Sequence, residues 1–213
     1  MNDSTPWLTQ LRHHRVIAVI RSDQYQLAWE MAQAVIQGGI QFIEITWNTD
    51  QAPRLIERLV SQFPRQSIGA GTLLTPDHLK AAIDAGAQFL FTPHTDLTLI
   101  ALAQAQGIPI IPGALTPTEI ITAWGAGATC VKVFPITAVG GASYLNSLKG
   151  PLGHIPLIPT GGVTFKNIRS LLQAGAIAVG LAGDLFPPPL IQAQNWPGIT
   201  QQAQQLLQEI KGN

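Results

Sequence analysis

The stretch "IPIIPGALTPTEIITAWGAGATCVKVFP", Ile108–Pro135, contains one full unit of the pattern that runs along this chain. It opens with the short apolar run Ile108–Gly113. Thr116 then stands where a helix N-cap is expected, with Pro117 at the first helical position, where its missing N–H costs nothing. The glycines of "GAGATC" stop that helix, because glycine accepts the left-handed conformation without a Cβ clash. A second apolar run, Cys130–Pro135, follows at once. The unit reads strand, helix, strand.

The same punctuation recurs on both sides. "QGGIQF", "DAGAQF", "AQGIPI" and "QAGAIA" each place glycine between a helical stretch and an apolar run, and "TPDHL" and "TFKNI" repeat the Thr start. The other strand candidates are Val16–Ile20, Gln41–Thr46, Ser67–Gly71, Gln88–Pro93, Ile155–Gly162 and Ile177–Ala182. Most are continuous apolar runs, which suit parallel strands covered on both faces. Amphipathic stretches such as "QLAWEMAQAVIQGG" lie between them. Eight strands alternating with helices predict an α/β fold, a (β/α)8 TIM barrel. Residues 1–213 are expected to form a single domain, with a short N-terminal helix before Val16 closing one end. An open doubly wound sheet is the alternative. No G-x-G-x-x-G follows the first strand, which counts against its dinucleotide-binding form.

Composition narrows the function classes. Formal net charge is zero and no basic cluster stands out, so no nucleic acid partner is expected. Only 11% of residues are charged, against roughly 25% in a typical soluble domain, a hint of surface covered by other subunits. The single cysteine, Cys130, excludes an internal disulfide and a cysteine-based zinc cluster. The residues "MNDSTPWLTQLRHHR" do not read as a signal peptide, and no apolar run is long enough to span a bilayer. A cytoplasmic protein with no membrane contact is expected.

Catalytic groups of a barrel come from the C-terminal ends of its strands. Those ends carry Arg21, Glu44 with Thr46, Thr72, Thr92-Pro93-His94, Lys132, Thr160-Gly161-Gly162 and Gly183-Asp184. Side chains alternate along a strand, so Cys130, Lys132 and Phe134 share one face, as do Phe42, Glu44 and Thr46. If both faces point inward, Lys132 and Glu44 meet at the mouth. One reading is a structural ion pair. The other is a desolvated amine of lowered pKa that attacks a carbonyl and forms a Schiff base, with Glu44 moving protons. In "IPTGGVTF", Gly161 and Gly162 precede a helix start, an arrangement that suits a phosphate as well as a tight turn. Arg21 and Thr72 are candidates to hold a carboxylate. The five histidines show no ligand spacing, so no metal site is expected; Trp47, after Thr46, is a candidate for the mouth.

"GGIQFIEITWNT", "GAGTLLTP", "FTPHTD", "IPIIPGALTPTEI", "VKVFPITAVGG" and "PTGGVTFKNI" occur in order, at the spacing of one family. From about Val16 to Phe186 the chain resembles the 2-keto-3-deoxy-6-phosphogluconate aldolases, also called KHG/KDPG aldolases. The resemblance implies a class I aldolase on a (β/α)8 barrel, a homotrimer that requires no cofactor. It implies Lys132 as the Schiff-base lysine, Glu44 as general acid/base, and Thr72 and Thr160 against the pyruvate portion of a 2-keto acid. Pro93 and Phe134 would shape the pocket, with Gly161 and Gly162 near a distal phosphate. The implied reaction cleaves 2-keto-3-deoxy-6-phosphogluconate to pyruvate and glyceraldehyde 3-phosphate. Some members also cleave 4-hydroxy-2-oxoglutarate to pyruvate and glyoxylate.

Two departures stand out. Many members carry arginine in a pattern like E-[VI]-T-x-R-[TS]; this chain has Asn48 there, and Arg21 is expected to take over the carboxylate. The family often has G-S-A-L near the last strand; here the run is "GLAGDLF", with Gly183 at the serine position and Asp184 next. Outside the aldolase reading stand a metal-dependent phosphosugar isomerase or epimerase on the same barrel, and a non-catalytic ligand-binding barrel. The joint presence of Lys132 and Glu44 argues against the last.

Overall fold

The computed structural model describes residues 6–211. The expected domain limits at residues 1 and 213, and the first residues of the segment read for a signal peptide, lie outside that range. The first half runs α1 (Pro6–His14), β1 (Val16–Ile20), α2 (Tyr25–Gln37), β2 (Phe42–Thr46), α3 (Ala52–Gln62), β3 (Ser67–Gly71), α4 (Pro76–Asp84), β4 (Leu90–Phe91) and α5 (Leu97–Ala105). The second half runs β5 (Ile110–Ile111), β6 (Gly113–Ala114), α6 (Pro117–Gly125), β7 (Val131–Val133), a short 3₁₀ turn (Ile136–Val139), α7 (Ala142–Leu152), β8 (Leu157–Pro159), α8 (Phe165–Gln173), β9 (Val179–Leu181), α9 (Pro188–Gln192) and α10 (Trp196–Lys211).

The expected punctuation is present. Gly39, Gly86, Gly107, Gly127 and Gly175 follow helices with φ between 66° and 103°. Thr75 caps α4 by accepting a hydrogen bond from His78 N. Thr116 and Glu119 form a reciprocal capping box at α6.

The α/β architecture is built on parallel strands in two sheets, ordered β5-β4-β3-β2-β1-β9 and β6-β7-β8. The fifth strand candidate is thus split at Pro112. Pro109 and Pro112 supply no N–H, so ladder bonding is interrupted there. The segment still bonds on both sides: Leu90 N donates to Pro109 O, and Lys132 N donates to Pro112 O. At the other end of the sheets, Ile177 N donates to Leu157 O, and Thr160 bridges Gly180.

Alternation sorts the strand residues into two layers. Val16, Ala18, Ile43, Ile45, Val131 and Val133 pack outward against the helices. Ile17, Phe42, Phe91, Cys130 and Ile158 point the other way, into a separate apolar cluster with Leu8 and Leu11 of α1. The N-terminal helix therefore plugs one end of the strands, as expected. Trp7 sets its ring edge-on to Phe42, with centroids 5.7 Å apart. Two residues further along the same inward faces stand Val19, Glu44, Lys132 and Thr160. Register pairs Val19 with Glu44, and pairs Lys132 with Gly113 and with Ile158, two residues before Thr160.

Candidate active site

Above the apolar plug the inward faces open into a cavity of about 450 Å³. β1 and β2 contribute Val19, Arg21 and Glu44, and Thr72 and Pro93 follow β3 and β4. β7 contributes Lys132 and Phe134, and the turn after β8 supplies Thr160, Gly161 and Gly162. Gly183 and Asp184 close the ring after β9. Lys132, Glu44, Arg21, Thr72, Pro93, Phe134, Thr160, Gly161, Gly162 and Gly183, to which the sequence reading gave roles, therefore line one cavity.

Other expectations fall elsewhere. Trp47 stacks on His78, with centroids 5.8 Å apart, and Thr46 hydrogen-bonds Thr49, so neither lines the cavity. His94 turns to Asp96 at 3.9 Å while its neighbour Pro93 faces inward. Asn48 is exposed and is not part of the lining, whereas Arg21 is. Among the described residues no three His, Cys, Asp or Glu side chains gather as a metal-binding group.

Lys132 is 6% exposed and Glu44 is 1% exposed. Burial disfavours the charged form of each. Desolvation lowers the Lys132 ammonium below its ordinary range; Glu44 pulls it back up, and Arg21 adds to the lowering. Desolvation likewise raises the Glu44 carboxyl, against the opposing pull of Lys132 and Arg21. Glu44 Oε1 is buried without a hydrogen-bond partner, and among the described residues no salt bridge joins it to Lys132. The direct pairing the sequence suggested is thus replaced by attraction across the cavity. Lys132 Nζ instead lies 4.8 Å from the Phe134 ring centroid and 5.5 Å from that of Phe91.

Backbone features support these side chains. A Cβ on Gly71 would overlap Glu44 Oε1, so glycine is what leaves room for the carboxylate. Thr72, the next residue, has φ +60°, a strained region for a β-branched side chain. A Cβ on Gly180 would crowd Thr160 Oγ1, a second buried polar atom without a partner. Gly71 and Gly180 are contributors the sequence reading missed. Gly180 could have been found from its place between Ala178 and Ala182 on one face; Gly71 gave no signal without Glu44 beside it. Val19, two residues before Arg21, was detectable by the same alternation.

A buried amine of lowered pKa, facing a protonatable carboxyl in a cavity open to solvent, is the equipment of an imine-forming enzyme. The comparisons agree. Residues 8–202 match the family described as "Aldolase: KDPG and KHG aldolase". The "KHG/KDPG aldolase" of Escherichia coli (strain K12) is 31% identical over 196 residues, covering 92% of each chain. The "2-dehydro-3-deoxy-6-phosphogalactonate aldolase" of the same organism is 35% identical over 182 residues, covering 84% of this chain and 87% of that one. The crystal structure of the KDPG aldolase from Legionella pneumophila, with pyruvate captured as a covalent carbinolamine intermediate, superposes with a TM-score of 0.87. It is 31% identical, over 96% of this chain and 99% of that one. The chain belongs to the KDPG and KHG aldolase family.

Proposed function

We propose that this chain is a class I aldolase that reversibly cleaves 2-keto-3-deoxy-6-phosphogluconate to pyruvate and glyceraldehyde 3-phosphate. The observation that carries the reading is the Lys132 amine, desolvated by burial yet facing a cavity that also holds Glu44.

Neutral Lys132 Nζ adds to the C2 carbonyl, and loss of water leaves a protonated imine. Glu44, as carboxylate, takes the C4 hydroxyl proton. The C3–C4 bond breaks, its electrons reach the iminium nitrogen as an enamine, and the aldehyde departs. Protonated Glu44 returns the proton to C3, and water then releases pyruvate and the amine. Arg21 holds the substrate carboxylate, and Thr72 and Thr160 contact the pyruvate portion, giving Thr160 Oγ1 the partner it lacks. Pro93 and Phe134 shape the pocket, and Gly161, Gly162 and Gly183 face the aldehyde fragment. The same steps convert 4-hydroxy-2-oxoglutarate to pyruvate and glyoxylate.

The reading extends to the whole molecule: one domain over residues 1–213, its strands completing a (β/α)8 barrel, working as a homotrimer in the cytoplasm. Closure is supported by the backbone bonds that link the two sheets at Pro112 and between the β8 and β9 segments. A low charged fraction of 11% fits a surface shared with other copies. No described helix is long and apolar enough to cross a membrane.

Sodium borohydride added with pyruvate should leave a reduced adduct on Lys132, read by peptide mass spectrometry. A folded protein that gains no adduct under these conditions is not an aldolase of this kind.

A further inference from the structure

The turn after β8 carries two consecutive glycines in the left-handed region, Gly161 at φ +83° and Gly162 at φ +80°. Glycine enters several backbone regions at little steric cost, so the peptide units beside such a pair rotate easily. In a trans peptide the C=O and the N–H point in opposite directions. Which of the two faces the cavity therefore depends on what holds the carbonyls.

Both carbonyls are held from outside. Gly161 O accepts from Thr137 Oγ1 at 3.2 Å and from Thr137 N at 3.4 Å. Gly162 O accepts from Asn167 Nδ2 at 2.9 Å, and the other end of that amide, Asn167 Oδ1, accepts from Thr164 N at 2.8 Å. One partner is a carbonyl and the other an N–H, so together they fix which way the Asn167 amide is turned. Gly161, Gly162 and Val163 line the cavity, whereas Thr137 and Asn167 do not. The carbonyls are thus drawn away from the cavity, and the N–H groups of Gly162 and Val163 are turned back toward it. Among the described residues neither N–H has a backbone acceptor.

The next donors along the chain are already spent. Thr164 N goes to Asn167, and Phe165 N, the first of α8, goes to Asp184 Oδ2 at 2.9 Å. The cations of the lining are Arg21 and Lys132, and the aldolase reading, on which this inference rests, uses both on the pyruvate portion. A phosphate on the aldehyde fragment then depends on the backbone N–H groups of this turn.

We infer that Asn167 is a positioning residue for recognition of the phosphorylated aldehyde fragment, with Thr137 as its lesser partner. Asn167 pins the Gly162 carbonyl outward and so presents the Val163 N–H to the phosphate; Thr137 does the same for the Gly161 carbonyl and the Gly162 N–H. Without the pins, rotation of either peptide would present a carbonyl oxygen to a dianion.

The test measures kcat and KM on the full chain with 2-keto-3-deoxy-6-phosphogluconate and with 4-hydroxy-2-oxoglutarate, whose glyoxylate fragment carries no phosphate. Wild type, Asn167→Ala and Thr137→Val are compared. Asn167→Ala should lower the phosphorylated-to-unphosphorylated ratio of kcat/KM by about tenfold, mainly by raising KM for the phosphorylated substrate. Its kcat/KM for 4-hydroxy-2-oxoglutarate should stay within about threefold of wild type. Thr137→Val, which keeps the side-chain shape and the backbone donor, should move the ratio the same way by about threefold. A residue that merely caps α8 would lower Tm and slow both substrates alike. Equal losses on both substrates, or an unchanged ratio in folded Asn167→Ala, overturn the inference; if that variant does not fold, an unchanged ratio in Thr137→Val overturns it. Borohydride trapping separates the two levels. A wild type that gains no pyruvate adduct on Lys132 defeats the aldolase reading itself, whereas an adduct with an unmoved ratio defeats only this inference.

Discussion

Cys130 and Lys132 sit two residues apart on one strand, face the same way and are both buried, yet their surroundings have opposite chemical consequences. Desolvation favours the neutral form of either group. For the thiol that form is inert, and burial pushes Cys130 up, away from thiolate. For the amine that form is the nucleophile, and burial pushes Lys132 down toward it. Phe42 and Glu44 repeat the contrast on β2, one ring in the apolar plug and one carboxyl in the cavity. The plug and the mouth are consecutive layers of the same inward faces. The plug needs only to pack, whereas the mouth must keep ionisable groups desolvated and still reachable.

The sharpest way to break that contrast is at Lys132. Lys132→Ala should lower kcat/KM for 2-keto-3-deoxy-6-phosphogluconate by on the order of 10⁴-fold or more and abolish the borohydride adduct. Retained cleavage at a tenth of the wild-type rate would mean that the mouth does not work through an amine.

Glu44→Gln comes next. Proton transfer by a placed side chain contributes about 10²- to 10⁴-fold, so cleavage should fall within that range while pyruvate trapping on Lys132 partly survives. Unimpaired cleavage would remove Glu44 from the mechanism. Stability should report the same desolvation. The folded-state pKa of Glu44 lies above its ordinary 4.5, so the folded protein holds this proton more tightly than the unfolded chain does. Its contribution to stability is therefore greatest below 4.5 and is lost as pH rises through the raised folded value. The variant lacks that loss. The difference in Tm, variant minus wild type, should grow more positive from acidic to alkaline pH, and a difference that shrinks would contradict the desolvation account.

These groups were legible because both layers obey one alternation. Reading Cys130, Lys132 and Phe134 as one face, and Phe42, Glu44 and Thr46 as another, placed Lys132 and Glu44 at one mouth, and both line the same cavity. Val16–Ile20 and Ser67–Gly71 formed as expected because apolar runs and glycine stops are local signals. What was not legible depends on partners distant in sequence. Alternation placed Thr46 inward, but its hydroxyl bonds Thr49 instead. Asp184 read only as the neighbour of Gly183 at the missing serine; its bond to Phe165 N required the approach of two loops. Pro112 split a strand that periodicity alone makes continuous. Gly71 resembled any strand glycine until Glu44 was found lying against it.

Gly71→Ala tests that last contact without touching a reacting group. The added methyl would overlap Glu44 Oε1 and push the carboxyl aside. A misplacement of about 1 Å can cost about 10²-fold, so kcat should fall by up to that factor with KM changed less. Trapping of pyruvate on Lys132 should persist, which distinguishes displacement of the acid/base from collapse of the mouth. Equal losses of trapping and cleavage would show that the space beside Glu44 matters to both groups.

The smallest effect belongs to the plug. Cys130→Ala removes a buried sulfur from among Phe42, Phe91 and Ile158, where the cysteine acts as a small apolar filler. The expected cost is about 1 kcal/mol of stability, or a Tm lower by about 2–4 °C for a chain of this size. Catalysis should stay within about twofold of wild type, because the proposed proton transfer and imine formation belong to the layer above. Native Cys130 should also resist alkylation by iodoacetamide until the protein unfolds, since burial withholds both access and thiolate. A tenfold or larger fall in kcat with Tm unchanged would mean that packing in the plug sets the position of the amine above it, so that the two layers act as one unit.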